Sequence, residues 1–202
     1  ATSYTARTHG DQIAACLRAA RAHGLQVHVW KVCWSLDGAD EALRKQLAGA
    51  GALQVTADGK TLDWLNPVVP ANADRELAAI VEVARTYAVD GIHLDYIRYP
   101  NGDACLGPAT RAAFEGARGR VRSWPADVRN GGARSAEFRE WRASVITDFV
   151  RRVRRELNAV RPGIRLSAAV FAHPQDCRLS VAQDWGLWLR ENLVDFVVPM
   201  NY

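Results

Sequence analysis

Val89-Asp90-Gly91-Ile92-His93-Leu94-Asp95-Tyr96-Ile97-Arg98-Tyr99-Pro100 is the stretch on which the fold is read. It is a short apolar strand that ends in acid, aromatic and base. Side chains alternate along a strand, so His93 and Asp95 share a face. Titratable groups inside an otherwise apolar strand have to be compensated by partners. Such a strand reads as one wall of a site.

Upstream, residues 25–34 read as a strand with Val27, Val29 and Lys31 on one side and His28 and Trp30 on the other. Residues 11–23 carry apolar side chains at helical spacing and are stopped by Gly24. Residues 39–48 predict a second helix. Residues 54–63 read as two short extended pieces around the Asp58-Gly59 turn, running into a short strand at 62–67 that Pro67 stops. Leu77, Ile80, Val81 and Ala84 predict a helix over 72–87.

Downstream, residues 101–132 are rich in Gly, Pro and Arg, too long for an ordinary connection, and read as functional or flexible. Phe138, Trp141, Val145, Ile146, Phe149, Val153 and Leu157 predict a long helix over 136–160. An apolar strand at 164–171 runs into Ala172-His173-Pro174. A helix follows at 181–192 with Trp185, Trp188 and Leu189 inward, then a last strand at 195–202.

Apolar strands separated by helices imply an α/β fold with a parallel sheet covered by helices. Val89-Asp90 and Val194-Asp195 echo each other at strand starts, as repeated βα units would. A doubly wound sheet is disfavoured, because no Gly-rich phosphate loop follows any strand, and no cofactor is expected. Polar and aromatic residues gather at the far ends of the strands instead: Trp34, Asn66, Asp95, Arg98, His173, Asn201 and Tyr202. That is where a (β/α)8 TIM barrel keeps its active site. Such a barrel typically takes about 250 residues. The expectation is therefore one incomplete barrel domain over residues 1–202, covering about strands two to six.

With 49% hydrophobic and 24% charged residues in 202, the composition is globular. The net charge of +4 and pI of about 9.1 come largely from arginine, Lys31, Lys45 and Lys60 being the lysines. Arg151, Arg152, Arg154 and Arg155 fall in a helical stretch beside acids, as on a solvated face, so nucleic acid is not the expected partner. No run is long and apolar enough for a membrane span, nothing at the start resembles a signal peptide, and the oligomeric state is left open. Cys16, Cys33, Cys105 and Cys177 form no zinc-type pair. Cys105 and Cys177 both follow strand ends. A bridge between them is one reading and would imply export; two free thiols is the other.

Trp64-Leu65-Asn66-Pro67, the stretch 89–100 and Asp195-Phe196-Val197-Val198-Pro199-Met200-Asn201-Tyr202 resemble the glycosyl hydrolase-like family 10 proteins. These are bacterial TIM barrels, often lipoproteins or otherwise exported, some acting on bare peptidoglycan glycan strands. The resemblance implies an exported glycoside hydrolase acting on an amino-sugar polysaccharide of the cell wall. Asp95 would be the catalytic carboxylate, with Asn66, His93, Arg98, Tyr99, Asn201 and Tyr202 lining the sugar site. There is a distant likeness to family 18 chitinases. Aligned on their strand motif, the positions here are Asp90, Gly91, His93, Asp95 and Ile97, so Ile97 stands where those enzymes have a catalytic glutamate.

Glycoside hydrolysis commonly uses two carboxyl groups. Candidates for the second are Asp37, Asp103, Asp176, Asp184 or a residue beyond Tyr202. Trp30, Trp34, Tyr96, Tyr99 and Tyr202 are aromatics near strand ends, where flat rings beside polar groups suit sugar faces; Tyr96, alternating with Asp95, is expected to pack outward. His173 completes the set of substrate-binding candidates. Three rival readings stand beside this one: an Asp95 paired structurally with Arg98; a carbohydrate-binding barrel without catalysis; and a metal-dependent hydrolase built on His28, His93, Asp95 and His173. Against the last, His28 sits early in its strand and no His-x-His pair occurs.

Overall fold

The computed structural model describes residues 10–201. Helix α1 (Gln12–Ala22) opens on Asp11, whose carboxylate accepts the Ala14 N–H at 2.9 Å. It ends at Gly24, whose φ of +66° is open to glycine without penalty. β1 (His28–Val32) leads to α2 (Glu41–Gly49), a hairpin of β2 (Leu53–Val55) and β3 (Thr61–Leu65), α3 (Pro70–Thr86) and β4 (Gly91–Asp95). Then come α4 (Pro108–Arg118), α5 (Ser135–Val160), β5 (Arg165–Phe171), α6 (Pro174–Val181), α7 (Trp185–Arg190) and β6 (Phe196–Met200).

The parallel sheet runs in the order β1-β4-β5-β6. One of the five expected barrel strands is thus reassigned. β3, which carries the Trp64-Leu65 segment, pairs antiparallel with β2 across the Asp58-Gly59 turn, and β1 pairs directly with β4. The hairpin is stitched to the chain leaving β1: Leu65 N–H donates to the Trp34 carbonyl at 2.8 Å and Leu36 N–H to the Asp63 carbonyl at 3.0 Å.

The register sorts the two faces of the sheet. Ile92, Leu94, Leu166, Ala168 and Val170 point into the main core against Ile80, Ala84, Ile146, Val150 and Val153 of α3 and α5. The opposite face carries His28, Trp30, His93, Asp95, Ser167 and Phe196, as the alternation in β1 and β4 predicts. The repeated Val-Asp pair is a latch between neighbouring strands. Asp90 Oδ2 accepts the Val27 N–H at 2.7 Å, and Asp195 Oδ2 accepts both the Leu166 N–H and Arg154 Nη2 at 2.6 Å. Burial pushes the Asp195 carboxyl up, but Arg154 and the Leu166 N–H outweigh it and hold it below the ordinary carboxylate value.

Gly91 answers to packing. A Cβ there would lie 2.4 to 2.9 Å from ring atoms of His28, its partner across β1. Gly91→Ala is expected to destabilise the protein by about 1–3 kcal/mol through overpacking, and His28→Ala in the same chain should restore most of the loss. Urea unfolding of the single and double variants checks this; equal stability of Gly91→Ala and wild type would refute it.

Three further expectations are corrected, the first being the flexible reading of residues 101–132. Residues 101–132 are folded: α4 and a 3-10 turn at Ala126–Val128 close a second core of Leu106, Phe114, Val121, Val128, Phe138 and Trp141 against α5. Phe114, Phe138 and Trp141 meet edge-on or stacked at 5.2 to 5.6 Å. The proposed Cys105–Cys177 bridge is absent, both being buried free thiols. Cys105 Sγ lies 3.1 Å from Asn66 Oδ1 and 3.0 Å from Thr110 Oγ1, whereas Cys177 Sγ points to the Pro174 and Gln183 carbonyls at 3.4 and 3.3 Å. Each thiol is held in its own network, so the inference of export from a bridge falls with it. The helix expected at 181–192 is two helices: Val181 ends α6, Ala182 takes a left-handed turn (φ 65°), and Asp184 caps α7.

Candidate active site

Asp95 closes β4, and both its carboxylate oxygens are engaged. Oδ1 accepts the Tyr96 N–H at 2.7 Å and Oδ2 accepts the indole N–H of Trp30 at 3.1 Å. Trp30 is 63% exposed, so a broad apolar ring stands in the open beside the carboxylate that tethers its edge. A polar anchor and a flat platform on one face are what a sugar ring needs.

One turn of the pleat earlier, His93 is half-buried and shares a hydrogen bond of 2.9 Å between Nδ1 and Ser167 Oγ of β5. Desolvation lowers its pKa; Asp95 pulls the other way, and His28 adds to the lowering. The shift favours the neutral imidazole, and its hydrogen bond to Ser167 makes it a strut between β4 and β5.

Tyr96 leaves the strand in the left-handed region (φ 53°), which breaks the alternation that would have sent it outward. Its ring packs 5.4 Å from that of Trp64 on β3. The Arg98 guanidinium lies over three rings: Phe171 at 4.8 Å, Tyr96 at 5.0 Å and Trp64 at 5.6 Å. Arg98 also donates to the Tyr99 carbonyl at 3.3 Å. These contacts place Arg98 on an aromatic rim beside the strand end. The rim borders a hollow of about 410 Å³ lined by Phe171, His173, Asp176, Met200 and Asn201.

Trp30, His93, Asp95, Arg98, His173 and Asn201 thus lie on the open face or at the strand ends. Three expected lining residues do not. Trp34 is 0% exposed and packs edge-on against Phe149 at 4.6 Å. Tyr99 is fully buried under the Arg142 guanidinium, 4.1 Å from its ring. Asn66 is 2% exposed, its amide donating to Thr110 Oγ1 at 3.0 Å and accepting the Val68 N–H at 3.1 Å. Tyr202 lies outside the described residues.

Ser167, Trp64, Phe171 and Asp176 complete the site, and only Asp176 stood among the sequence candidates. The pairing of His93 with Ser167 follows from strand register, and the meeting of Trp64 with Arg98 from docking of the hairpin, neither of which local pattern carries. Of the candidate second carboxylates, Asp184 caps α7 by accepting the Leu187 N–H and pairs with Arg178 Nε at 2.7 Å, and Asp103 lies 3.4 Å from Arg129. Asp37 is exposed beyond β1; Asp176 faces the hollow. Among the described residues no three His, Cys, Asp or Glu side chains come together as a metal site, so His28, His93, Asp95 and His173 are not one cluster. No described helix is long and apolar enough to cross a membrane.

A family model described as glycosyl hydrolase-like 10 matches residues 5–202. An S-layer-related protein of Niallia circulans is 33% identical over 120 residues, which is 54% of this chain and 7% of that protein. The glycoside hydrolase domain of PgaB (BpsB) from Bordetella bronchiseptica superposes with a TM-score of 0.66 at 14% identity, over 88% of this chain and 51% of that one. The catalytic domain of a β-amylase from Paenibacillus polymyxa gives 0.66 at 12%, over 91% and 62%. A β-galactosidase from Marinomonas ef1 gives 0.67 at 12%, over 96% and 33%. The four parallel strands and their helices are therefore part of an α/β barrel of the TIM type. The chain spans about half of the PgaB domain structure and a small fraction of the curated relative.

Proposed function

Since the chain belongs to the glycosyl hydrolase-like 10 family, we propose that it forms the catalytic part of a glycoside hydrolase whose substrate is an amino-sugar polysaccharide, with bare peptidoglycan glycan as the first choice. The observation that carries this reading is Asp95 at the C-terminal end of β4, tethered to the exposed ring of Trp30. In a TIM barrel that end of a strand is where chemistry is done. Asp95 acts as nucleophile or general acid/base, His93 holds the floor through Ser167, and Trp30 stacks on a sugar. Arg98, His173 and Asn201 border the next unit. An amino-sugar substrate also suits a site in which one carboxylate is evident, because an N-acetyl carbonyl can take the nucleophile's part in some glycosidases.

Export is part of the proposal. The Niallia relative is described as S-layer-related, and a cell-wall glycan lies outside the cytoplasm. Release of reducing ends from stem-peptide-free peptidoglycan by the full-length protein tests the reading, with and without EDTA. Release that survives EDTA supports it. Release abolished by EDTA would replace it with a metal-dependent hydrolase, and glycan binding without release would replace it with a carbohydrate-binding barrel.

A further inference from the structure

A second hollow lies next to the first. It measures about 370 Å³ and is formed by residues 101–103, the turn carrying Asn130, Arg139 of α5 and Leu179 of α6. Ser180 lines both hollows, so the two flank a single side chain of α6. Each falls in the lower part of the roughly 300–1,000 Å³ range of small-molecule sites.

The walls are fixed. Arg142, inside the protein, donates to the carbonyls of Asn101 at 2.7 Å and Gly102 at 2.8 Å. Tyr99 N–H donates to the Val181 carbonyl at 2.9 Å, and Arg178 pairs with Glu140, so α6 is tied to the chain leaving β4 and to α5. The lining mixes amide and hydroxyl groups and the Arg139 guanidinium with an apolar step, Leu179, which is 39% exposed. Asparagine both donates and accepts, and Asp103 is offset by Arg129. With Arg139 in the wall, this surface fits a hydroxyl-rich glycan that carries a carboxylate at intervals, as the lactyl groups of bare peptidoglycan strands do.

We propose that this hollow is a distal sugar subsite continuous with the one at the ends of β5 and β6, so that the protein grips a glycan over several units along α6. The folded segment after β4 is the device that builds it. The inference rests on the glycan reading above and adds that the substrate is polymeric.

The test compares wild type with Asn130→Ala/Leu179→Ser and with Asn130→Trp, which fills the hollow. The probes are long stem-peptide-free glycan strands and a tetrasaccharide made from them. The ratio of kcat/KM on strands to kcat/KM on tetrasaccharide is expected to fall about tenfold in both variants, the scale of one or two lost contacts. Sedimentation with insoluble glycan should show the same loss of binding. Variants that match wild type in both readouts overturn the proposal. If wild type binds strands without cleaving them, the glycosidase reading fails, while weaker strand binding by the variants still upholds the distal subsite. A wild type that neither binds nor cleaves strands overturns both.

Discussion

Asp95→Asn is expected to lower kcat on glycan strands by roughly 10²–10⁴-fold, the range that a positioned acid, base or nucleophile supplies, with glycan binding only modestly weakened. Asparagine keeps the shape, and its amide oxygen can still accept the Tyr96 N–H. Its NH2 group would then face the Trp30 N–H, donor against donor, so the platform loses its tether. Binding is therefore expected to weaken modestly while turnover collapses. That split separates a catalytic carboxylate from a structural one, whose loss would lower stability and leave kcat per folded molecule nearly intact. An Asp95→Asn protein that turns over within tenfold of wild type would remove Asp95 from the chemistry.

Trp30 and His93 show which parts of the site local sequence carries. Alternation put His28 and Trp30 on one face of β1 and His93 and Asp95 on one face of β4, and the parallel register then laid Trp30 directly beside His93. Wherever a strand stays regular, the period of two is a sufficient guide. It fails where the backbone turns. Tyr96 and Trp34 both adopt positive φ at the ends of their strands, and one swings onto the rim while the other drops into the core. Asn66 and Tyr99 lie just beyond a strand end as well, and their burial depends on Thr110 and Arg142 respectively, each more than 40 residues away in the chain. The flexible reading of the segment after β4 fails for a related reason: Gly107, Pro108 and Gly119 bound α4, and Arg111 and Arg129 pair with Glu115 and Asp103, a use that composition does not distinguish from a mobile loop.

Arg142 is where the second large effect is expected. It is 1% exposed, and no carboxylate among the described residues pairs with it. Burial lowers its pKa, while the neighbouring Tyr99, Cys105 and Asp103 act in the opposite direction. What holds it is geometry: two carbonyls in front of the guanidinium, the Tyr99 ring 4.1 Å away and Phe138 at 5.8 Å. Arg142→Ala would leave a cavity beneath Tyr99 and strip two carbonyls of their donor. The expected loss is about 3–5 kcal/mol, read as a shift in the urea midpoint at unchanged slope. Arg142→Met keeps most of the volume and should recover a part of the loss, leaving the hydrogen-bond share. Arg142→Lys should do no better than Met, because an ammonium can neither stack flat on Tyr99 nor reach both carbonyls in one plane. A lysine variant as stable as wild type would mean that charge alone is what this position needs, and the stacked, forked arrangement would then be incidental to holding the segment after β4 in place.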